Sequence, residues 1–257
     1  MILCLLRCVV ATLAFVVRGA VGHAQGPAIA AASDLNSVLP EIATLFERQT
    51  GTPVRLTFGS SGNLSQQIIN GAPFEMFLSA DESFVVRVQG AGRAEGESVL
   101  YAIGRIGVFV PRTSHLPHAA LDGVAAALRS KQLGKFAIAN PEYAPYGRAA
   151  REALMHAALW ESIQPHLVCG DNVAQATQFA MSGSVDAGII PLSMGLTTTV
   201  KNAGTFTLIP ASWHSPLRQR MVLTRNAGKV ARDFFAFLQS AAARTVFERY
   251  GFTIQGR

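Results

Sequence analysis

From residue 28 to residue 224 the chain alternates short strand-like runs with helix-like runs, and this alternation constrains the fold more than any other feature of the sequence. Neighbouring parallel strands need a long connection between them, and a helix is its usual form. "AIAAAS" (28–33) leads into a helical pattern at Val38, Ile42, Leu45 and Phe46, which Gly51 ends. "TPVRLTF" follows, with Val54, Leu56 and Phe58 on one strand face; then come a glycine-serine turn, a helix around Leu64 to Ile69, and the strand "FEMFLS". Asp81 and Glu82 open the next helical run, where the helix dipole favours acids, and Gly90 or Gly92 ends it.

The pattern restarts after "YAIGRIGVFVP", which reads as one long apolar strand run stopping at Pro111. "GKFAIANP" and "VDAGIIP" are further strands, while "YGRAAREALMHAAL" and "NVAQATQFAM" are helices. "RQRMVLT" is a last strand, and residues 230–250 form two closing helices. Two strand-helix clusters thus flank two connecting strands, near residues 101–110 and 217–224. The expected fold class is α/β, with two lobes, each a mostly parallel sheet flanked by helices, joined by a two-strand hinge. The first lobe would take residues 25–104, the second 105–216, and residues 217–257 would return to the first.

The leader "MILCLLRCVVATLAFVVRGAVGHAQGP" holds an apolar run over 9–17 and small residues around Ala24. It reads as a secretory signal peptide over 1–24, cleaved near Ala24. Arg7 and Arg18 bound an apolar core well short of the roughly 20 residues that cross a bilayer. The expected location is therefore periplasmic. The formal charge is +6, and two arginines with no acid leave with the leader, so the mature chain carries +4. That balance suits an anionic partner; with no basic stripe interleaved with aromatics, nucleic acid is not expected. Of three cysteines, Cys4 and Cys8 lie in the leader, so Cys169 has no internal partner and is expected to pack in the apolar strand "HLVCG". The six histidines show no metal-ligand spacing.

In open α/β sheets ligands sit beyond the carboxyl ends of the strands, where helices begin. "AASDLN", "FGSSGN", "NPEYAPYGR" and "GDNVAQ" all occupy such positions. Each offers free amides at a helix start, which with the helix dipole make a site for negative charge. Ser33 and Ser61 can add hydroxyl donors. Taken singly, Ser33 reads as a helix cap, Ser60 to Asn63 as a turn and cap, and Tyr146 as a packed aromatic. Taken jointly, helix starts in two facing lobes point to one shared anion site.

"AASDL", "FGSSGNLSQQIINGAPFEMFLSAD", "YAIGRIGV", "IANPEYAPYGRAAREAL", "NVAQATQF" and "ERYGF" occur in this order along essentially the whole mature chain. In them the sequence resembles the periplasmic molybdate-binding proteins of ABC importers. The resemblance implies a two-lobed type II periplasmic-binding fold that closes on a tetrahedral oxyanion, molybdate or tungstate. It implies ligand contacts from Ser33, Ser61, Tyr146 and Val173, with the amides of Ser61, Tyr146 and Val173 as donors. No cofactor and no direct protein ligand to the metal are expected. The implied partners are a membrane permease and its cytoplasmic ATPase, and the expected state is a monomer.

Two positions depart from that pattern. Asp34 stands where part of the family has an asparagine donor or an apolar residue. An ionised carboxylate would repel a dianion. Either Asp34 turns away to cap the first helix, or it accepts a proton from a protonated oxyanion of the phosphate or arsenate kind. Pro191 stands where some relatives have a contacting tyrosine, and proline has no donor. A secreted hydrolase is the rival from another class, but G-x-S-x-G needs glycine where Asn63 stands, so no enzyme activity is expected. A DNA-binding regulator with this fold would need a helix-turn-helix in place of the leader.

Overall fold

The computed structural model describes residues 26–254; the leader and its expected cleavage near Ala24 lie outside them. The first half contains β1 (Ala28–Ala32), α1 (Leu39–Thr50), β2 (Arg55–Gly59), α2 (Ser61–Ile69), β3 (Met76–Ser79), α3 (Glu82–Gly90) and β4 (Ala94–Gly104). The second runs through β5 (Ile106–Pro111), α4 (Leu121–Arg129), β6 (Phe136–Ala139), α5 (Pro145–His156), α6 (Trp160–Ile163), β7 (Leu167–Gly170), α7 (Val173–Met181), β8 (Ala187–Pro191), α8 (Leu192–Gly195), α9 (Thr198–Ala203) and β9 (Gly204–Leu208). It is followed by β10 (Leu217–Thr224), α10 (Lys229–Phe237) and α11 (Ala241–Arg249).

These strands form two five-stranded sheets, in the orders β2-β1-β3-β10-β4 and β7-β6-β8-β5-β9. In the first, β1 pairs in parallel with β2 and β3, while β10 is antiparallel to β3 and β4. In the second, β6 pairs in parallel with β7 and β8, while β5 is antiparallel to β8 and β9. Both sheets are therefore mixed, with four strands in one direction and one against them. The reversed strands, β5 and β10, are those that arrive from the other lobe. The expected single run over 101–111 is in fact two strands in different sheets, parted at Arg105, whose guanidinium donates to the Ile209 carbonyl at 3.1 Å.

Strand alternation sorts each core into two layers. Ile29, Ala31, Met76, Leu78 and Met221 face α1, α10 and α11, meeting Ile42, Phe46, Phe234 and Phe247. Their neighbours Ala30, Phe77 and Val222 face the other way, against Leu64, Ile68, Val85 and Val88 of α2 and α3. The second sheet repeats the arrangement: Val108, Phe136, Ile138 and Ile189 meet α4 and α5, whereas Phe109, Ala137 and Ile190 meet α7 and α9. Two residues of the first lobe, Ala32 and Ala80, join the apolar cluster of the second, so the lobes are in contact. One expectation is corrected here: Cys169 lies in β7 as foreseen, but β7 is a sheet edge and the cysteine is exposed rather than packed. Among the described residues no helix is long and apolar enough to cross a membrane.

Candidate anion-binding site

The carboxyl ends of β1, β2, β3, β6 and β7 all deliver the chain to one small cavity between the lobes. Its lining includes Ser33, Asp34, Ser61, Tyr146 and Val173 together with Gly59, Ser60 and Ala80. All five residues singled out from the sequence are thus brought together. The space left for water centres is about 10 Å³, room for roughly one water, and bonds from Tyr146 and Ser193 of the second lobe to Asp34 of the first draw the lobes together beside it. Among the described residues no lysine or arginine lines it.

Local capping decides which amides remain free to serve a ligand. At the start of α2, Ser60 accepts from the Asn63 amide at 3.3 Å and the Gly62 amide donates to the Tyr143 carbonyl, which leaves the Ser61 amide. At α7, the Asn172 side chain takes the amides of Ala174 and Gln175, at 3.0 and 3.1 Å, which leaves that of Val173. α5 begins with Pro145, which has no N–H, and its cap residue Ala144 has no side-chain acceptor, so the Tyr146 amide is spare. Helix starts from both lobes therefore converge, each carrying roughly half a positive charge. Ser61 is fully buried; its hydroxyl oxygen accepts from the Ala80 amide at 3.0 Å, and its own proton remains available to donate. Ser33 opens a 3-10 turn (Ser33–Leu35) and is its first residue rather than its cap, which is Ala32.

Asp34 differs from its neighbours, being a carboxyl group with no exposure among neutral donors. Its Oδ2 accepts from the Tyr146 hydroxyl at 3.0 Å and from Gln219 Nε2 at 2.7 Å, while Oδ1 is buried without a partner. The Ser193 hydroxyl donates to its backbone carbonyl at 2.8 Å. Gln219 is held in turn by the Tyr101 hydroxyl, which donates to Oε1 at 2.7 Å and so fixes which end of the amide faces Asp34. Burial pushes the Asp34 carboxyl up to about 6, against the opposing effect of the bonds from Gln219 and Tyr146. Burial also raises both tyrosines well above their ordinary range. At an effective dielectric constant of about 20, an ionised Asp34 within ~4 Å of a dianion would be repelled by roughly 8 kcal/mol.

The first of the two expectations for Asp34 is therefore corrected: it caps no helix. α1 starts at Leu39, after Val38 and without a side-chain cap, and the 3-10 turn has none either. A cap must stand beside the amides it serves, and Asp34 instead meets donors from the hinge strand and the opposite lobe. Gln219, Tyr101 and Ser193 were missed in the sequence. A signal for Gln219 existed, because strand alternation in "LRQRM" sets it on the same buried face as Leu217 and Met221. Pro191 is not among the lining residues; it ends β8, and Ser193, two positions on, makes the cross-lobe bond.

Further bonds join the lobes around the cavity. Arg148 of α5 pairs with Asp81, the cap of α3, at 2.5 Å. Gly62 packs so closely on Tyr143 that an added Cβ would lie 2.6 Å from its carbonyl oxygen. A larger concavity of about 670 Å³ lies elsewhere, among His115, Leu116, Ala126 and Asp186. Its one carboxylate, Asp186, is already occupied by the amides of Gly134 and Lys135. Among the described residues no group of three or more His, Cys, Asp or Glu is placed to hold a metal ion.

Comparison with known proteins agrees with this architecture. The molybdate-binding protein ModA of Rhodobacter capsulatus is 33% identical over 254 residues, 97% of each chain. That of Azotobacter vinelandii is 31% identical over 230 residues, 88% of this chain and 89% of its own. The solved structure of the Azotobacter vinelandii periplasmic molybdate-binding protein superposes with a TM-score of 0.81 at 29% identity, covering 90% of this chain and all of that one. The family model for the bacterial extracellular solute-binding proteins matches residues 28–253, nearly all of both lobes. With two mixed sheets closed over a cavity ringed by helix starts, the chain belongs to the family of bacterial extracellular solute-binding proteins.

Proposed function

We propose that this chain is the exported solute-capturing component of a bacterial ABC importer, and that its lobes close on molybdate or tungstate. One observation carries the reading: Ser33, Ser61, Tyr146 and Val173, from four separate segments and both lobes, line a single cavity with no lysine or arginine among the described residues that form it. Neutral donors can satisfy the oxygens of a small dianion without a fixed counter-charge, and lobe opening then removes half of them, so the anion is held and released unaltered. The names of the relatives that match over nearly the whole chain point the same way. On this reading the chain is a periplasmic monomer with its leader removed near Ala24, it hands its ligand to a membrane permease driven by a cytoplasmic ATPase, and it catalyses nothing. Its lobes are residues 25–104 with 217–257, and residues 105–216.

A second reading has an observation in its favour. The unpartnered Oδ1 of Asp34 could accept a proton carried by hydrogen phosphate or arsenate. Calorimetry on the purified mature protein separates the two. Molybdate and tungstate should bind tightly and sulfate weakly; sulfate shares their charge and shape, so only the longer metal–oxygen bonds can tell them apart. Tight binding of phosphate with none of molybdate would establish the second reading instead. A Ser61→Ala chain should lose on the order of 1.5–3 kcal/mol of molybdate affinity, the worth of a hydrogen bond to a charged group. Unchanged affinity would remove Ser61 from the site.

A further inference from the structure

Resting on the oxyanion reading above, we infer that Asp34 takes up one proton when the lobes close on a dianion, and that its Oδ1–H becomes a donor to the ligand. The two oxygens of this carboxyl group have different surroundings. Oδ2 accepts two hydrogen bonds, from Tyr146 and Gln219, as the carbonyl oxygen of an uncharged acid does. Oδ1 is buried, lacks any partner, and belongs to a residue that lines the cavity. An empty acceptor facing a ligand made only of acceptors gains nothing; the same oxygen carrying hydrogen completes a bond to it.

The neighbours leave no other source for this compensation. Tyr146 from α5 and Tyr101 from β4 are the titratable groups that face Asp34, directly or through Gln219, and both already hold their protons at neutral pH. Gln219 from β10, Ser193 from α8, Val173 from α7 and Gly59 at the end of β2 are neutral. Arg148, at the start of α5 beyond the lining, is committed to Asp81. Burial pushes the Asp34 carboxyl up to about 6, so the closed site already favours the protonated form more than water does. The repulsion from an ionised carboxylate beside a dianion acts in the same direction. The proton comes from solvent on closure and returns to it on opening. Release then leaves a negative charge that opposes recapture.

The test is isothermal calorimetry with molybdate in buffers of different ionisation enthalpy at about pH 7.5. The full mature chain should take up close to one proton per molybdate, and its affinity should fall nearly tenfold per pH unit above about pH 6.5. Asp34→Asn presents an amide donor in the same place, so it should take up no proton and bind molybdate with an affinity that stays flat to about pH 8.5. Molybdate binding by the unaltered chain without proton uptake overturns the inference alone, whatever the variant does. Proton uptake that persists in Asp34→Asn overturns it too, by assigning the proton elsewhere. Binding of molybdate by neither chain overturns the oxyanion reading, and the inference with it.

Discussion

Tyr146 does two separable things at the residue scale. Its amide is a spare helix-start donor on the cavity, and its hydroxyl holds Asp34 Oδ2 at 3.0 Å. Tyr146→Phe keeps the first and removes the second. Molybdate affinity near pH 5, where Asp34 is already protonated and the cost of protonating it drops out, should then fall about 3- to 10-fold, the net worth of one buried hydrogen bond. The Tyr146 bond lowers the Asp34 pKa, so losing it should raise that pKa and move the pH at which affinity starts to fall upward. A titration of affinity against pH checks both; a loss with no movement of the profile would separate Tyr146 from the carboxyl group. The four stretches that carry Ser33, Ser61, Tyr146 and Val173 were legible because a helix start after a strand has its own chemistry (small residues, a cap, a proline at the first turn), whereas the choice of those residues within the stretches came from the resemblance to the molybdate-binding proteins. The partners of Asp34 were not legible. Tyr101, Ser193 and Gln219 reach it across 67, 159 and 185 residues of chain or through one another, and no local pattern reports a bond between distant segments.

The elements were legible wherever one face is wet. α11 alternates buried Ala243, Val246 and Phe247 with exposed positions, a helical period that needs no knowledge of its neighbours. β5 is buried at all six positions, so no alternation marks its faces, and nothing in its residues tells that it leaves the sheet of β4 at Arg105 to run against a different one. The return of the C-terminal helices to the first lobe has a testable weight. Phe247 is fully buried and meets Tyr101 and Phe252 with ring centroids 5.5 and 5.7 Å apart. Phe247→Ala should lower the stability of the folded chain by about 3–5 kcal/mol, from lost burial and the cavity left behind. Urea unfolding without ligand measures it, and a loss under ~1 kcal/mol would mean that α11 does not close this core.

For the whole molecule, function requires the lobes to part and to close to one well-fitting distance, and Gly62 stands where that distance is set. Its amide donates to the Tyr143 carbonyl of the opposite lobe at 3.0 Å, and a Cβ there would meet the same oxygen at 2.6 Å and the Tyr143 Cβ at 2.7 Å. Both contacts belong to backbone or to the stem of a side chain, so the strain cannot be relieved by turning a rotamer; the lobes must stay apart. Gly62→Ala therefore acts with opposite signs on two measurements. Within the first lobe, alanine in α2 is a better helix former than glycine by up to ~1 kcal/mol, so the unliganded chain should melt at the same temperature or higher. In the liganded state the gap removes the Gly62–Tyr143 bond and loosens the grip of α5 and α7 on the anion, and molybdate affinity should fall roughly 10- to 100-fold. Small-angle scattering should show the unaltered chain contracting when molybdate is added and the Gly62→Ala chain contracting less or not at all. If the variant contracts as fully and binds as tightly, the contact between Gly62 and Tyr143 is not what halts the lobes, and the closing distance must be set by the bonds made on Asp34 instead.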